Sequence, residues 1–318
     1  MLSIGIDLGG TKILIGLIND DGKIIHSLKK RTPASKRIDD IMNLTFETID
    51  SAIADAGVDM KEISGIGVAA PGIVDEKNGV LLYAPNWNLR NIPVKRLLKD
   101  KFSIPVKVAN DVNAAAIGEL HFGHGKNENS FFWITISTGI GGALVVNGNL
   151  LLGNRGLAGE IGHMIIDDNG PDCTCGRKGC LEALASGTAI ANLARKRISE
   201  GRKFLKINSE IKPEEITAET VVRAASNNDK EAFSLLKEVS GHISKALSYV
   251  VNLADIDLLV IGGGVMVNNE ILFKLIEENL KHYVYEYQHR NIRLVSPQLG
   301  YNSSLIGAGA LILKSKSL

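Results

Sequence analysis

The stretch Asp7-Leu8-Gly9-Gly10-Thr11-Lys12 lies between two strand-like runs of apolar residues, at about 3–8 and 12–19, and a third run follows at about 23–30. Short apolar runs bounded by turn signals predict strands. The paired glycines and the later Asp20-Asp21-Gly22 have the composition of tight turns. This part of the chain is therefore predicted to form a three-stranded β-meander.

The same order of elements recurs further along the chain. The sequence predicts a strand over Phe131–Ser137, the glycine turn Thr138-Gly139-Ile140-Gly141-Gly142, a strand over Ala143–Val146, a hairpin turn at Asn147-Gly148 and a strand over Asn149–Leu152. One description therefore fits both regions: strand, glycine-rich turn, strand, hairpin turn, strand. We interpret this as an internal duplication, with one copy of the meander in each of two domains.

The rest of the pattern predicts an α/β fold. Strands and amphipathic helices are mixed in both halves, including a helix near 38–56 that Gly57 closes and the buried strand Ile63–Ala70. After about residue 181 the chain is mostly helical, at roughly 181–200, 217–226, 229–254 and 269–287, around one buried strand, Leu258–Ile261. A chain of 318 residues is long enough for two domains, each with its own core. Because small ligands commonly bind in clefts between domains, we expect the functional site in such a cleft.

Composition favours work on small molecules. The chain has 45% apolar and 22% charged residues, and 36 basic against 35 acidic side chains give a net charge of +1. That balance provides no electrostatic basis for binding nucleic acid or an anionic membrane. The uncharged segment Trp133–Leu152 is interrupted by glycines, which favours buried strands over a membrane span. No secretory leader precedes the first strand, so we expect a cytoplasmic protein.

The three cysteines predict a metal site. Cys173, Cys175 and Cys180 lie within one short segment, and an odd, clustered set is a poor disulfide framework. With His163 they provide the donor set of a closed, tetrahedral, structural Zn²⁺ site. A lone histidine is more often a core or surface residue, and only the neighbouring cysteines favour ligation. Glu182 follows on the next predicted helix, so the metal would also position that carboxylate.

Both glycine turns are candidates for holding phosphate groups. Gly9-Gly10 lets backbone N–H groups approach an anion closely, and Thr11-Lys12 adds a hydroxyl group and a cation. Asp7 can bind Mg²⁺ directly or through water. Thr138-Gly139 holds the same place in the second repeat. A plain hairpin turn explains either motif alone, whereas their repetition favours a polyphosphate ligand.

Two further motifs follow buried strands. Gly262-Gly263-Gly264 can open space for an adenine ring and ribose, or simply make a tight turn into a helix. Asn110-Asp111 lies where a strand meets a helix, and phosphoryl transfer to an alcohol needs a carboxylate that accepts the hydroxyl proton. Asp111 is the candidate for this role. The alternative is that Asp111 is the N-cap of the following helix.

Together these motifs resemble the ROK family (repressor, open reading frame, kinase), most closely its bacterial glucokinases. The resemblance covers essentially the whole chain, and the cysteine signature with its upstream Glu-x-Gly-His is its most specific part. The matching residues are Asp7–Lys12, Pro71-Gly72, Asn86-Trp87, Asn110-Asp111, Ser137–Gly142, Gly156–His163, Cys173–Glu182 and Gly262–Gly264.

The resemblance implies an actin-like, hexokinase-type ATPase fold of two lobes, with Asp111 as catalytic base for the 6-hydroxyl group of a sugar. It implies that the sugar contacts Gly72, Asn86, Asn110, Asp111, Glu160, His163 and Glu182. It implies that ATP with Mg²⁺ is held by Asp7, Gly9, Gly10, Thr11, Lys12, Thr138, Gly139, Gly262, Gly263 and Gly264. Structural zinc is assigned to His163, Cys173, Cys175 and Cys180.

The family also implies that the C-terminal helix packs on the first lobe. The predicted domains are then residues 1–118 with 303–318, and residues 119–302. The expected partners are a hexose and ATP, in a homodimer or homotetramer. Glucose is favoured over N-acetylmannosamine, N-acetylglucosamine, fructose and allose. A sugar-responsive transcriptional regulator is disfavoured, because the first glycine turn begins at Asp7 and leaves no room for a preceding helix-turn-helix domain.

Overall fold

The structure is a computed structural model that describes residues 1–204 and 212–314. Its strands are β1 (Leu2–Leu8), β2 (Lys12–Asn19), β3 (Ile24–Arg31), β4 (Ile63–Ala70), β5 (Ile73–Asp75), β6 (Val80–Ala84), β7 (Leu89–Ile92), β8 (Val106–Asn110), β9 (Phe131–Ile136), β10 (Ile140–Val146), β11 (Asn149–Leu150), β12 (Leu258–Gly262) and β13 (Arg293–Val295). Its helices are α1 (Ile38–Ala56), α2 (Val94–Phe102), α3 (Asp111–Phe122), α4 (Leu181–Ala185), α5 (Gly187–Ser199), α6 (Ala218–Ser226), α7 (Lys230–Ala254), α8 (Glu270–Tyr283) and α9 (Ser303–Leu313).

The described strands form two five-stranded sheets and a smaller one. The orders are β3-β2-β1-β4-β8 and β11-β10-β9-β12-β13, and β5-β6-β7 make the three-stranded sheet. In each larger sheet, three strands that are consecutive in the chain lie side by side at one edge. This order confirms the predicted duplication of a β-meander.

The chain divides into two compact units. The first unit comprises Met1–Ser130, Ala143–Ala158 and Pro297–Leu318, and the second comprises Phe131–Gly142 and Gly159–Ser296. The domain boundaries predicted near residues 118 and 302 stay a prediction. Residues 315–318 of the predicted first lobe lie outside the described residues.

In the first unit, glycines allow the last helix to lie directly on the sheet. A Cβ atom on Gly67 would clash with the carbonyl oxygen of Ala308, and one on Gly5 would clash with that of Leu305. The other face of the sheet packs against α1 and α2 in one apolar core. Helices therefore cover both faces of the parallel strands β1, β4 and β8, whose carboxyl ends lie at one edge.

In the second unit, β12 pairs in parallel with both β9 and β13, and α7 buries one face along most of its length. The predicted single helix at 181–200 is two helices, because Ser186 has an extended backbone and caps α5: its hydroxyl accepts a hydrogen bond from Ala189 N at 3.1 Å. Helix α8 ends at Tyr283, four residues before the predicted end at 287, because the backbone becomes extended at Val284.

The uncharged segment Trp133–Leu152 forms strands, as predicted. Asn147 and Gly148 have φ values of 51° and 75°, as a two-residue hairpin turn requires. Strand β10 begins at Ile140, so the glycine turn ends three residues earlier than the sequence predicts. Throughout residues 1–204 and 212–314, no helix combines the length and apolar character needed to cross a bilayer.

Candidate active site

The predicted site residues divide between the two units. In the first unit, Asp7 near the end of β1 lies opposite Ala69 of β4, and Ala70 lies opposite Asn110 at the end of β8. Asp111 follows as the first residue of α3. The edge of the sheet thus brings two carboxylates, Asp7 and Asp111, close enough for the charge of one to raise the pKa of the other.

Asn110 is the N-cap of α3. Its Oδ1 accepts hydrogen bonds from the backbone N–H groups of Val112 at 2.9 Å and Asn113 at 3.2 Å. Its Nδ2 donates to the carbonyl oxygen of Gly72 at 2.9 Å, so two predicted sugar ligands are joined directly. The alternative interpretation of Asp111 as the cap is therefore wrong. Oδ1 of Asp111 also accepts a hydrogen bond from Val112 N, at 3.0 Å.

The environment of Asp111 suits a group that accepts a proton near neutral pH. Burial raises its pKa to about 7, the negative charge of Asp7 adds to the rise, and hydrogen bonds from Val112 and Asn110 oppose it. Burial also raises the pKa of Asp7 to about 6, against the opposing charge of Lys12. A general base is most effective when its pKa lies close to the working pH.

Glu76 supports this corner and was not predicted. Its Oε1 accepts hydrogen bonds from Asn113 Nδ2 at 2.9 Å and from the backbone N–H of Asn110 at 3.3 Å. The carboxylate is half-buried, and burial raises its pKa. Glu76 thereby ties the loop after β5 to the junction of β8 and α3. Its context, Asp75-Glu76-Lys77, has the composition of an exposed charged turn and gives no signal of this role.

The first glycine turn is closed by its own backbone. Gly9 N donates to the carbonyl oxygen of Lys12 at 2.9 Å, and Thr32 Oγ1 donates to that of Gly9 at 2.8 Å. Asn86, predicted as a sugar ligand, lies against this turn, because a Cβ atom on Gly10 would be 3.0 Å from the Asn86 Cβ.

The side chains of the first turn differ in exposure. Thr11 is exposed and Lys12 is half-buried. The Nζ atom of Lys12 lies 3.7 Å from the centroid of the Tyr301 ring. Burial lowers the pKa of Lys12, and the carboxylate of Asp7 opposes this shift.

In the second unit, the turn at Thr138 and Gly139 is held by Glu182. Ser137 N donates to the carbonyl oxygen of Gly139 at 2.8 Å, and Glu182 Oε2 accepts from Ile140 N at 2.9 Å. A Cβ atom on Gly139 would clash with the Glu182 carboxylate, so this contact requires glycine. Glu182, predicted as a sugar ligand, therefore also fixes the second turn.

A cavity of about 810 Å³ lies beside this turn, within the size range of small-molecule pockets. Gly264 and Thr138 line the cavity. One face of α6 contributes four more lining residues, Glu219, Val222, Arg223 and Ser226. Gly262 ends β12, and Gly263 has a φ of 97° and lies against the carbonyl oxygen of Ile136. Of the glycine triplet, Gly264 is the member that lines the cavity.

The four predicted metal ligands form one cluster. The ligand atoms of His163, Cys173, Cys175 and Cys180 all lie within 4.8 Å of one another. The Sγ atoms of Cys175 and Cys180 are 3.6 Å apart, and Cys173 Sγ is 3.7 Å from His163 Nδ1. Tetrahedral bonds of about 2.0–2.3 Å to zinc would place ligand atoms roughly 3.3–3.8 Å apart. Donor set and spacing therefore both fit Zn²⁺.

Short backbone contacts build the cluster. Ile165 forms an isolated bridge with Cys180, and Cys173 N donates to the carbonyl oxygen of Arg177 at 2.7 Å. The Arg177 side chain donates to Cys175 Sγ at 3.5 Å and lowers the pKa of that thiol to about 6, whereas burial raises the pKa of the Cys180 thiol to about 12. Upstream, Glu160 is exposed.

Comparison with known proteins gives a consistent result. The ROK family model matches residues 3–315. A glucokinase from Thermotoga maritima is 32% identical over 97% of this chain and 96% of the relative. The crystal structure of a ROK family glucokinase from Streptomyces griseus, in complex with glucose and AMPPNP, matches with a TM-score of 0.85 and 30% identity, covering 99% of this chain and 100% of that one. A xylose repressor from Caldicellulosiruptor bescii is 28% identical over 98% of this chain and 77% of the repressor.

The structural likeness confirms the predicted fold. Sheets with the duplicated meander, helices on their faces and a whole-length match to a ROK glucokinase agree with the α/β, actin-like, hexokinase-type class.

Proposed function

The chain belongs to the ROK family, and on that premise we propose that it transfers the γ-phosphoryl group of ATP to the 6-hydroxyl group of a hexose. Glucose is the first candidate, because the similar proteins named above include glucokinases at 30–32% identity over nearly their whole length. The observation that carries the proposal is the carboxylate of Asp111. It is not used for capping, it follows a parallel strand, and its pKa is raised to about 7.

In this proposal Asp111 is the general base. A sugar hydroxyl attacks well only when a nearby group orients it and accepts its proton. Asn110 can help to hold the sugar, because its amide carries two N–H donors and donates only one of them to Gly72 in the contacts described above. The hydrogen bonds that Glu76 accepts from Asn110 N and Asn113 Nδ2 keep this corner fixed while the sugar binds.

The two glycine turns act on the phosphate groups. The backbone N–H groups of Gly10 and of Thr138-Gly139, with the Lys12 ammonium, offset the charge that spreads over the phosphoryl oxygens in a loose transition state. The N–H of Gly9 keeps the first turn closed. Bound Mg²⁺ would supply further neutralisation of phosphate charge. Asp7 fits as its oxygen ligand. Burial raises the pKa of this carboxyl to about 6, so it still ionises near neutral pH, and a bound cation would favour the ionised form further.

We assign the 810 Å³ cavity of the second unit to the adenosine part of ATP. Gly264 gives the ligand room, and Glu219 and Arg223 of α6 offer polar groups along the cavity wall. Glu160, His163 and Glu182 are proposed to contact sugar hydroxyls. Glu182 has one carboxylate oxygen for this purpose besides the one that accepts from Ile140 N.

We propose that zinc orders the segment that leads to Glu182. Four protein ligands leave no open coordination position, so the metal would supply structure and no activated water. Cys180 is the N-cap residue of α4, and Glu182 lies in its first turn. Fixing Cys180 therefore fixes the start of the helix that carries this carboxylate.

The substitution Asp111→Asn tests the catalytic assignment. The amide keeps the shape of the carboxylate but does not accept the hydroxyl proton, so we expect kcat to fall by about 10²–10⁴-fold. The hexose Kd, measured by calorimetry, should change by less than about threefold, because binding does not need proton transfer. Turnover at the wild-type rate would remove Asp111 from the role of base.

Initial rates of the wild-type protein with ATP and glucose, N-acetylmannosamine, N-acetylglucosamine, fructose and allose identify the hexose. A second candidate is a sugar-responsive regulator, which the similarity to a xylose repressor favours. Hexose binding without ADP formation for any of these sugars would support that second candidate and contradict the kinase.

A further inference from the structure

We propose that Tyr301 is a positioning residue for Lys12: its ring holds the lysine ammonium at the first glycine turn and so sets the affinity of that turn for the phosphate groups of ATP. The inference rests on the proposed function and adds a residue from the opposite end of the chain. Tyr301 lies in the short helical turn Gly300–Asn302 that precedes α9.

The contact has the geometry of a cation–π interaction. Lys12 Nζ lies 3.7 Å from the ring centroid of Tyr301, well inside the distance of about 6 Å at which such pairs attract. Lys12 is half-buried at the start of β2, whereas Tyr301 is 67% exposed. A tyrosine that exposes most of its surface is not held there by burial in the core, so its contact with the ammonium is the interaction to explain.

The charges around Lys12 show why its position needs support. In the pairing of β2 with β3, Arg31 lies directly opposite Lys12, and like charges in such a pair repel. Lys29 of β3 lies on the same face of the sheet as Lys12, and its positive charge adds to burial in lowering the pKa of Lys12. Asp7 is the attracting carboxylate. Because a lysine has a long, flexible stem, repulsion alone would move its ammonium away from the turn. The Tyr301 ring opposes that movement.

The segment that carries Tyr301 is anchored to α3 on both sides of the ring. Before it, Leu299 N donates to Glu119 Oε1 at 2.9 Å, and Glu119 is fully buried. After it, Ser304 Oγ donates to the carbonyl oxygen of Asp111 at 3.2 Å. A flexible tail could not restrain an ammonium group, but a ring carried on a segment that is fixed on both sides can. The same short segment therefore contacts the first turn and the helix that begins with the proposed base.

This arrangement predicts an effect on ATP and not on the hexose. With the ammonium already in place, less side-chain entropy is lost when the phosphate groups bind. Without the ring we expect KM for ATP to rise by about two- to tenfold, the range that corresponds to one exposed or partly buried cation–π contact. The hexose KM should stay within about 1.5-fold of the wild-type value.

The kinetic test compares Tyr301→Leu, which removes the ring, with Tyr301→Phe, which keeps it. The leucine variant should show the raised KM for ATP, and the phenylalanine variant should restore the wild-type value. Tyr285→Leu is the matched control, since this tyrosine is 72% exposed and lies in the second unit. An unchanged KM for ATP in Tyr301→Leu, or an equal rise in both Tyr301 variants, would overturn the proposal.

A second readout does not depend on kinase activity. The rate at which an amine reagent labels Lys12 without ATP is followed by peptide mass spectrometry, with Lys107 as an internal reference. Labelling should be faster in Tyr301→Leu and unchanged in Tyr301→Phe. Equal rates in all three proteins would show that the ring does not hold Lys12, and faster labelling with unchanged ATP affinity would refute the positioning role.

These measurements separate the two proposals. If the wild-type protein phosphorylates no hexose, the proposed function fails. In that case the equilibrium Kd of Mg²⁺-ATP is measured in place of KM. A Kd in Tyr301→Leu equal to that of the wild type would contradict the role of Tyr301.

Discussion

The two glycine turns occupy the same place in the two repeats, and a backbone hydrogen bond closes each of them, from Gly9 to Lys12 in the first and from Ser137 to Gly139 in the second. They differ in the side chain that supports them. In the first turn a hydroxyl group from the end of its own meander, that of Thr32, donates to Gly9 O. In the second turn a carboxylate from a distant helix provides the support, because Glu182 accepts from Ile140 N and fills the space beside Gly139.

This difference shows how one supersecondary unit can carry two tasks. The first turn is held within its own meander, by its backbone hydrogen bond and by Thr32 directly after β3, and it presents the ammonium group of Lys12. The second turn depends on a carboxylate from α4, which begins at the end of the cysteine cluster. Disturbing the cysteine cluster should therefore reach the second turn through Glu182.

Of the two turns, the first is expected to show the larger effect, in Gly9→Ala. The new methyl group would be 2.7 Å from the carbonyl oxygen of Lys12, the same oxygen that accepts from Gly9 N, so the turn must open. We expect the free energy of unfolding to fall by about 1–3 kcal/mol, as for other overpacked sites. Opening should also lower kcat/KM for ATP by about 100-fold, because it displaces groups that contact phosphate. Denaturant titration and steady-state kinetics measure the two effects.

A smaller and different effect is expected for Gly139→Ala. Here the methyl group meets the end of the Glu182 side chain, which can swing away without moving the backbone. The free energy of unfolding should change by less than about 1 kcal/mol, while kcat/KM falls by roughly 10- to 100-fold because Ile140 N loses its acceptor. Similar losses of stability in both alanine variants would contradict the contrast between the two turns.

Gly241→Ala is the matched control for both substitutions. Gly241 lies within α7, and a Cβ atom added there has no atom within 4 Å outside its own helix backbone. Alanine should therefore leave kcat/KM unchanged and stabilise the helix by up to about 1 kcal/mol.

The smallest effect concerns the pH dependence of stability at the edge of the first sheet. The pKa of Asp111 is raised from 3.8 to about 7, so between these values the folded protein binds more protons at this group than the unfolded chain. Its contribution to stability is present at low pH and is lost as the pH rises through 7. Asp111→Asn should therefore raise the thermal midpoint at pH 8 by a few degrees, with a gain that shrinks towards pH 5.

Asp75→Asn is the control with the opposite sign. Hydrogen bonds from Asn78 lower the pKa of Asp75, so its carboxylate stabilises the fold above pH 4 and removing the charge should lower the midpoint slightly at pH 8. A gain at pH 8 in both variants would show that lower negative charge in general, and not the environment of Asp111, causes the effect.

Local signals predicted most of the fold. Strand β4 and helix α1 have the bounds that the sequence predicts, because runs of apolar residues and the C-terminal Gly57 set them locally. The cysteine cluster was also predictable, since its ligands lie close together in sequence and their chemistry admits few uses. The sequence predicts α4 and α5 as one helix. Nothing in the sequence around Ser186 distinguishes it from an ordinary helix residue, and only its capping hydrogen bond shows that α5 begins there.

The supporting residues of the site could not be predicted in the same way. Glu76 and Tyr301 act through contacts with residues 34 to 37 and 289 positions away in the chain, and their own sequence contexts look like exposed turns. The cap at Asn110 was missed for a different reason. Asn and Asp are almost equally good caps, so two such residues in succession do not reveal which one starts the helix.

The position of α9 has a consequence for how the protein is made. Ser3 Oγ donates to the carbonyl oxygen of Gly309 at 3.2 Å, so β1 is covered by a helix whose contacting residue is synthesised 306 positions later. Residues 131–142 and 159–296 are synthesised between them, which gives the second unit time to fold while β1 still lacks its cover. During that interval the apolar face of β1 and β2 that receives α9 is exposed to other nascent chains and to chaperones.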